Sequence, residues 1–591
     1  MGPDVKDNLH KTTTTFKDSS GSIYGLFWTV KPLSDTAPFM SEKNAHLMAV
    51  PKRRSTLNPW SFGAAVIAIL VILPIAAVIW IGFNPAENIW PHLVSTTLPR
   101  YLSNTVILMV SVGALSACVG VGAAWLLVMY RFPGARWLEW LLLFPLSIPA
   151  YVGAYALVDF LEYAGPVQTF LREAFGWADS RDYWFPEIRS RGSAIVVLTG
   201  ALFPYVYMLA RAAFREQSAS SFEVARALGA GSVARLFRVG LPLARPAVAA
   251  GAAIVMMETV SDFGTVEYFA VQTLTTGIFS TWLESNNAGG AAQIAGVVLT
   301  LVLLLVVLEK TSRKKNRYYS TARHQRPVTP VKLKGVQAGV ASILCFIPFA
   351  VGFLLPALVI GSHALSNVQP WADPALVRAL ANTVVVGGIA ALVTVSAALF
   401  MVYGVRLTGR RLPRILLPVS TIGYAAPGAV LAVGILIPMA ALDHVIADGI
   451  EAATGFDPGL LLTGSAFALI YAYAVRFFAI AQGTADAALG RVSPSLPMAA
   501  RSLGRTAGGV LREVHIPLIR SSVGTALLLV FVDCVKELPA TLLLRPFNFN
   551  TLSTRVYEQA SLENLAGAAP AAMMVILVGL CAVLLMARSN R

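Results

Sequence analysis

The sequence predicts an all-α polytopic membrane protein, with about twelve transmembrane helices arranged as two tandem parallel six-helix repeats. The first observation is composition: 56% of the 591 residues are hydrophobic and only 13% are charged, whereas a soluble protein carries about 25% charged residues. The second is that apolar windows of about 20 residues, enough to cross a bilayer, recur along the chain. The third is that several motifs occur twice in the same order. The long apolar runs do not alternate as the strands of a β-barrel do.

The chain divides into a tail, two membrane domains and a linker. Residues 1–56 are polar and lack the apolar core of a signal peptide, which predicts a disordered cytoplasmic tail. A first transmembrane domain over 57–309, a basic cytoplasmic linker over 310–335 and a second transmembrane domain over 336–591 follow. The predicted spans lie near residues 60–82, 103–130, 137–161, 193–213, 245–267 and 289–309, then 337–361, 380–404, 415–440, 460–480, 520–543 and 567–587.

The formal net charge of +15 is concentrated in basic clusters beside the apolar runs. The linker contains Lys and Arg but no acidic residue between positions 310 and 334, whereas the loop 441–460 contains acidic residues but neither Lys nor Arg. Basic loops remain on the cytoplasmic side of a membrane. We therefore expect both termini and the linker in the cytoplasm, contact with membrane lipid, and no nucleic-acid partner.

The two halves repeat short motifs at a nearly constant distance. The sequence LSNTVIL at 102–108 corresponds to LANTVVV at 380–386, which lies 278 positions later. The sequence ARALG at 225–229 corresponds to ARSLG at 500–504, which lies 275 positions later. An even number of spans gives both repeats the same orientation, so a pathway along the axis between them is expected.

A cytoplasmic loop between the fourth and fifth spans of each half carries the second pair of motifs. In the first loop, Ser220 and Glu223 have the spacing of a capping box, which predicts a short helix from Ser220. Gly229 is placed to end this helix in a left-handed conformation. In the second loop, the Ser-Pro pair at 493–494 is predicted to start the equivalent helix, and Gly504 is predicted to end it.

These loops resemble the EAA loop of binding-protein-dependent ABC importer permeases, in which the short helix docks on the ATPase subunit. The resemblance implies the following docking residues: Glu223, Ala225, Gly229, Pro242, Ala500, Gly504 and Pro517. Met498 stands where the first copy has Glu223, which predicts unequal contacts with the ATPase. The sequence has no Gly-Lys dipeptide and therefore no phosphate-binding loop. We expect ATP and Mg on a separate ATPase subunit, present in two copies, with no cofactor in this chain and no enzyme activity of its own.

Charged residues mark the end of the fifth span in each half. Glu258 and Asp262 correspond to Asp533 and Glu537, 275 positions later, and Lys536 lies beside Glu537. Each acidic pair has the i, i+4 spacing that places two side chains on one helix face. Charges within a span are costly and usually face a cavity or pair with each other. Either the acids line the central pathway and offer oxygen ligands to a cation, or Lys536 neutralises one of them and the set locks the halves together.

The segments around these acids resemble the ferric iron branch of the same permease family. The matching sequences are DFGT at 262–265, TTGI at 275–278 and KELPATLLLRP at 536–546. The resemblance implies a permease of the bacterial inner membrane that receives ferric iron from a periplasmic binding protein and passes it inward by alternating access. Thiamine, polyamine and phosphonate permeases share the scaffold and remain alternatives. An ion-coupled secondary transporter is an alternative of a different class, but it does not account for the twin loops.

Overall fold

The computed structural model describes residues 59–314, 329–408, 411–493 and 495–589. The predicted tail over residues 1–56 and most of the predicted linker over 310–335 lie outside this part of the chain. Within the described ranges the protein is helical apart from its loops and one pair of two-residue strands. The predicted all-α class is confirmed.

The helices of the first half occur in the following order: α1 Pro59–Phe83, α2 Trp90–Ser95, α3 Leu98–Met129, α4 Ala135–Leu141, α5 Ala150–Leu161, α6 Pro166–Phe175, α7 Arg191–Arg215, α8 Ala219–Ala227, α9 Ser232–Arg235, α10 Leu241–Ser261, α11 Gly264–Tyr268, α12 Leu274–Phe279 and α13 Ala288–Lys314. Those of the second half are α14 Gly335–Phe349, α15 Leu355–Ser366, α16 Pro374–Thr408, α17 Arg411–Val419, α18 Ile422–Ala425, α19 Gly428–Thr454, α20 Phe467–Gly490, α21 Ser495–Ser502, α22 Ala507–Val510, α23 Ile516–Lys536, α24 Pro539–Leu544, α25 Leu552–Ser561 and α26 Leu565–Ser589. Strand β1, Tyr130–Arg131, pairs in parallel with strand β2, Val331–Lys332.

In the part of the chain that the structure describes, eleven helices are long and apolar enough to cross a membrane. The number becomes twelve if one bent pair, Ala135–Ser147 with Ala150–Phe175, is a single span. This agrees with the prediction of about twelve spans.

The third predicted span of each half, 137–161 and 415–440, is not one continuous helix. In the first half the chain bends by 96° between Ser147 and Ala150, and in the second half α17, α18 and α19 are separate helices. The physical reason is a proline, because the helical region is disfavoured for a residue that precedes proline. Ile148 and Ala426 accordingly have ψ angles of 123° and 121°, ahead of Pro149 and Pro427. Each proline then starts the next helix.

The fifth span of each half begins and ends earlier than the predictions of 245–267 and 520–543. The helical runs cover Ser232–Ser261 and Gly508–Lys536, and each contains one π-helical turn, Leu236–Gly240 or Leu511–His515. Pro242 and Pro517 lie two residues beyond these turns. Proline lacks an N–H and its ring clashes with the carbonyl four residues earlier, so the wider π turn accommodates it while the helix continues.

The first long helix of each half packs against the other half. Helix α1 contacts α16, α17 and α19, and α15 contacts α5. Two glycines allow the closest approaches: a Cβ on Gly352 would lie 2.2 Å from the carbonyl oxygen of Gly200, and one on Gly434 would lie 2.1 Å from that of Pro74. The halves are therefore interlocked, and one buried apolar cluster contains residues of both.

Candidate functional site

The two short helices predicted in the cytoplasmic loops are present as α8 and α21, and they end in the same way. Gly229 and Gly504 have φ angles of +81° and +82°, the left-handed conformation that favours glycine. Beyond them the N–H of Ala230 donates to the carbonyl of Ala225 at 2.9 Å, and the N–H of Arg505 donates to that of Ala500 at 3.1 Å. These bonds form a Schellman motif at each helix end.

The predicted start of the first short helix is wrong. Helix α8 begins at Ala219, with Ser218 in the N-cap position, and no side chain caps it. The hydroxyls of Ser218 and Ser220 lie 2.7 Å apart, so Ser220 bonds a neighbouring side chain and does not form a capping box with Glu223. The hydroxyls of Ser493 and Ser495 repeat this contact at 2.8 Å in the second half.

Each short helix presents an exposed apolar residue at its end. Leu228 and Leu503 occupy equivalent positions and are both 82% exposed. Phe222 holds α8 in place, because its ring is buried against that of Trp125 at 5.7 Å. Glu223 and Met498 are both exposed, so the two helices offer surfaces of different charge.

Pro242 and Pro517 connect these helices to the centre of the molecule. Each lies at the second position of a long helix, α10 or α23. The far ends of α10 and α23 carry the predicted pathway residues. One continuous helical run, Ser232–Ser261 or Gly508–Lys536, thus leads from the turn that follows each short helix towards those residues.

A cavity of about 180 Å³ lies where the two halves meet, and it is lined by all five predicted pathway residues. They are Glu258, Asp262, Asp533, Lys536 and Glu537. The cavity is also lined by the two breaks in the third spans, at Leu146–Pro149 and at Tyr424. Among the residues that the structure describes, no group of three or more His, Cys, Asp or Glu side chains is placed to hold a metal ion.

Asp262 and Glu537 cap the short helices that follow the fifth spans. The Asp262 carboxylate accepts hydrogen bonds from the N–H of Thr265 at 3.0 Å and from that of Val266 at 3.2 Å. The Glu537 carboxylate accepts bonds from the N–H groups of Ala540 and Thr541, both at 3.0 Å. The prediction that each acidic pair shares one helix face is wrong, because α10 ends at Ser261 and α23 ends at Lys536.

The other three predicted residues lie within the last turns of α10 and α23. The Tyr424 hydroxyl donates to the Glu258 carboxylate at 3.1 Å, and the Lys536 ammonium donates to the carbonyl of Leu146. Asp533 has no hydrogen-bond partner in the described part of the chain. Both contacts cross between the halves, each joining a fifth span to the broken third span of the opposite half.

Arg476 is a cavity residue that the sequence reasoning missed. It lies in α20, and its guanidinium forms an ion pair with Glu537 at 3.3 Å. The sequence does contain a signal for it, because Arg476 is the single charged residue inside the predicted span 460–480. The equivalent position of the first half, 275 residues earlier, is Ala201, so the cavity is not symmetric in charge.

The repeated Asn-Thr pair of the second spans supports the segments beyond these caps. Thr105 accepts a hydrogen bond from the N–H of Leu274 at 3.0 Å, and Thr383 accepts one from Leu552 at 2.8 Å. Two residues before these threonine contacts, the Asn104 side chain donates to the carbonyl of Gln272 and the Asn382 side chain donates to that of Asn550. The motif repeats because both halves fix the same loop in the same way.

Comparison with known proteins agrees with this arrangement. Residues 116–315 match the family described as the inner membrane component of binding-protein-dependent transport systems. The loop helix α8, the fifth span and the first-half cavity residues all lie within this match. This part of the chain is therefore similar to the membrane components of such transport systems.

Among particular relatives, the chain is similar to the Fe(3+)-transport system permease protein FbpB 2 of Haemophilus influenzae. The two are 29% identical over 497 residues, which cover 81% of this chain and 88% of the relative. The molybdenum transport system permease protein ModB of Escherichia coli is 26% identical over 188 residues, or 31% of this chain. The sulfate transport system permease protein CysT of Salmonella typhimurium is 22% identical over 210 residues, or 34% of this chain.

Proposed function

We propose that the chain is the permease of an ATP-driven importer and that its cargo is ferric iron. The observation that supports ferric iron as the cargo is the charge of the central cavity, which is lined by four carboxyl side chains and two cationic ones, Lys536 and Arg476. Charge in a membrane interior is costly and usually serves the transported species. An excess of carboxylates attracts a cation and repels an oxyanion, and carboxylate oxygens are hard ligands.

The comparisons, like the charge of the cavity, favour iron over an oxyanion as the cargo. The similarity to the Fe(3+) permease extends over both halves, whereas those to the molybdenum and sulfate permeases cover about a third of the chain. A pathway for molybdate or sulfate would need the opposite sign of charge. The iron relative and the cavity therefore favour the same cargo.

Transport requires partners that supply energy and substrate. We assign α8 and α21 as the docking helices for two copies of an ATPase subunit, which carries the ATP and Mg, and the opposite face of the permease to a periplasmic binding protein. The protein would then lie in the bacterial inner membrane with both termini in the cytoplasm. Closure of the ATPases displaces both docking helices, and the two fifth spans carry the movement to the cavity.

Uptake measurements test the cargo and the energy source together. Cells that lack this protein and cells in which it is restored are offered labelled ferric iron beside thiamine, spermidine and a phosphonate, with and without ATP depletion. We expect restored uptake of iron alone, abolished by ATP depletion. Uptake of another compound would contradict ferric iron as the cargo. Uptake that depends only on the proton gradient would contradict the ATP-driven importer and favour a secondary transporter.

A further inference from the structure

A basic cleft lies at the end of the protein opposite the short helices α8 and α21. It has a volume of about 610 Å³ and is found beside the starts of α3 and α7. Helix α7 runs from Arg191 to Arg215, just before α8, and is about 37 Å long, so the cleft and α8 lie at its two ends. The charged residues that line the cleft are Arg100, Arg189, Arg191 and Glu187. The cleft therefore has an excess of positive charge.

Two of these arginines are exposed and bond neutral side chains. The Arg100 guanidinium donates to the side-chain oxygen of Gln272 at 3.3 Å, and that of Arg191 donates to the side-chain oxygen of Asn104 at 3.2 Å. Neither amide compensates the charge of its arginine. A guanidinium has several N–H donors in a planar fork that matches a carboxylate, so each of the two has donors left for one.

The third arginine, Arg189, joins the two halves through exposed ion pairs. Its guanidinium lies 3.2 Å from Glu162 of the first half and 3.2 Å from Glu563 of the second. It also lies over the ring of Tyr268 in α11, 5.2 Å from the ring centroid. The Glu563 side chain is 75% exposed. Because an exposed ion pair contributes little to stability, a carboxylate of another molecule can take the place of Glu563 at little cost.

Glu563 occupies a backbone position that glutamate rarely adopts. Its φ angle is +57°, in the left-handed region that is unfavourable for most residues with a side chain. The turn before the last helix of the first half has Asn286 in this conformation, with a φ of +50°, and asparagine adopts it more readily. Strained residues of this kind cluster at functional sites. The turn alone does not explain a glutamate at 563, whereas its contact with Arg189 does.

Helix α11 lies between the cleft and the central cavity. Asp262, which lines the cavity, caps the start of α11, and residues 269–272, which follow its end, line the cleft. Tyr268 at the last position of α11 carries the contact with Arg189. A molecule bound in the cleft is therefore separated from Asp262 by the length of α11.

We propose that this cleft is the surface on which an acidic side chain of the periplasmic binding protein docks, with Arg100 and Arg191 as its first contacts, and that Arg189 exchanges Glu563 for a carboxylate of that partner. The proposal rests on the proposed function, from which it takes the partner and the outer face. The exchange removes an ion pair that joins the halves on this face, so docking favours their separation there. The contact is asymmetric, because every residue that lines the cleft belongs to the first half.

Spheroplasts test this surface, because they lose their periplasmic proteins and depend on added ones. The probe is the periplasmic extract of the same cells, loaded with labelled ferric iron, and the amount of extract that gives half-maximal uptake is measured. We expect Arg100→Gln and Arg191→Gln to raise this amount several-fold each and at least tenfold together, with little change in the maximal rate. The matched control is Arg181→Gln, which changes an exposed arginine of the loop before α7 that does not line the cleft and should resemble the wild type.

Two further measurements separate docking from a folding defect. Glu563→Asn removes the competing carboxylate and places a residue that tolerates the left-handed conformation, so the half-maximal amount of extract should fall several-fold. Replacement of sucrose by NaCl at constant osmolarity should raise that amount more in the wild type than in Arg100→Gln with Arg191→Gln, because salt screens exposed charges.

The outcomes that contradict the proposal are distinct. An unchanged half-maximal amount in Arg100→Gln with Arg191→Gln would overturn the docking surface, and an unchanged amount in Glu563→Asn would overturn the exchange at Arg189. A lower maximal rate at an unchanged half-maximal amount would indicate a lipid headgroup or a structural role, and would also overturn the docking surface. Wild-type spheroplasts that import iron without extract would instead overturn the binding-protein step of the proposed function.

Discussion

The pairing of Arg476 with Glu537 shows how one residue determines the character of the cavity. Their side chains are 13% and 2% exposed; Arg476 lies within one candidate membrane span and Glu537 directly follows another. The Arg476 guanidinium compensates a carboxylate whose other bonds go to the backbone of α24. Because the first half has Ala201 at this position, Asp262 caps α11 without a matching cation.

Arg476→Met should destabilise the protein, because it leaves the Glu537 charge buried without its partner. Breaking a buried ion pair in this way costs about 3–5 kcal/mol. The double variant Arg476→Met with Glu537→Gln should recover part of the loss, since no unpaired charge remains. Thermal unfolding of the detergent-solubilised protein measures both, and a single variant as stable as the wild type would contradict the assignment.

The sequence predicted which acids line the cavity but not which of them are capping residues. The spacing of Glu258 and Asp262 suggests a shared helix face, yet the helix ends between them. That end depends on the Thr265 hydroxyl and on the N–H groups of the next short helix, which the spacing of acids does not reveal. Arg476 was visible as a charge in a span, but its partner lies 61 residues away, and only the tertiary fold brings the two together.

At the scale of elements, the proposed docking helices α8 and α21 depend on their glycine ends. A Cβ on Gly229 or Gly504 would meet nothing within 4 Å, so substitution there is costly only through the backbone. The left-handed conformation costs a β-branched residue of the order of 1–3 kcal/mol, whereas asparagine adopts it more readily. A comparison of valine with asparagine at these two positions therefore tests the effect of backbone strain.

We expect Gly229→Val with Gly504→Val to uncouple ATP hydrolysis from transport, because the ends of α8 and α21 would no longer hold their Schellman motifs. Gly229→Asn with Gly504→Asn should retain coupling. Transport per ATP hydrolysed, in vesicles that contain the assembled importer, is the measurement. Normal transport by the valine pair would show that these helix ends do not carry the docking surface.

The proline effects divide into those that were predictable and one that was not. Pro149 and Pro427 lie inside the predicted third spans, and both interrupt the helix, as the conformational preference of the residue before proline favours. Pro242 and Pro517 have the same chemistry, yet their helices continue through a π turn. Whether a helix breaks or widens depends on the packing around it, which the local sequence does not contain.

At the scale of the whole molecule, the interlocking of α1 and α15 with the opposite half predicts that the halves recognise each other without a covalent link. Separate chains of residues 1–320 and 321–591, produced together, should copurify through a tag on one of them, whereas each alone should accumulate poorly. Failure to copurify would mean that the connection between the halves is required for assembly.

Two glycine variants provide a matched comparison for this assembly. Gly352→Ala should weaken association, because its Cβ would lie 2.2 Å from the Gly200 carbonyl oxygen of the other half. Gly388→Ala should have no effect, since its Cβ meets nothing within 4 Å. Copurification yield compares them, and equal yields would show that the close approach at Gly352 is not needed.

The number of spans and the repetition of the halves were readable from the sequence, because both follow from apolar length and from motif spacing. The exchange of first helices between the halves was not, because α1 is apolar on all sides and its sequence does not indicate its neighbours. The difference in charge between Arg476 and Ala201 was likewise recognisable only in the structure, which shows that both residues line the cavity.

The exchange of first helices also sets an order of events during synthesis. Helix α1 leaves the ribosome about 300 residues before its partners α16 and α19, a delay of roughly 15–60 s at 5–20 residues per second. During that time the helix satisfies its own backbone in lipid, but the face that will contact the second half remains open to other membrane proteins. A nascent chain that stalls between the halves would therefore expose an unfinished contact surface, and membrane quality control has that interval in which to recognise it.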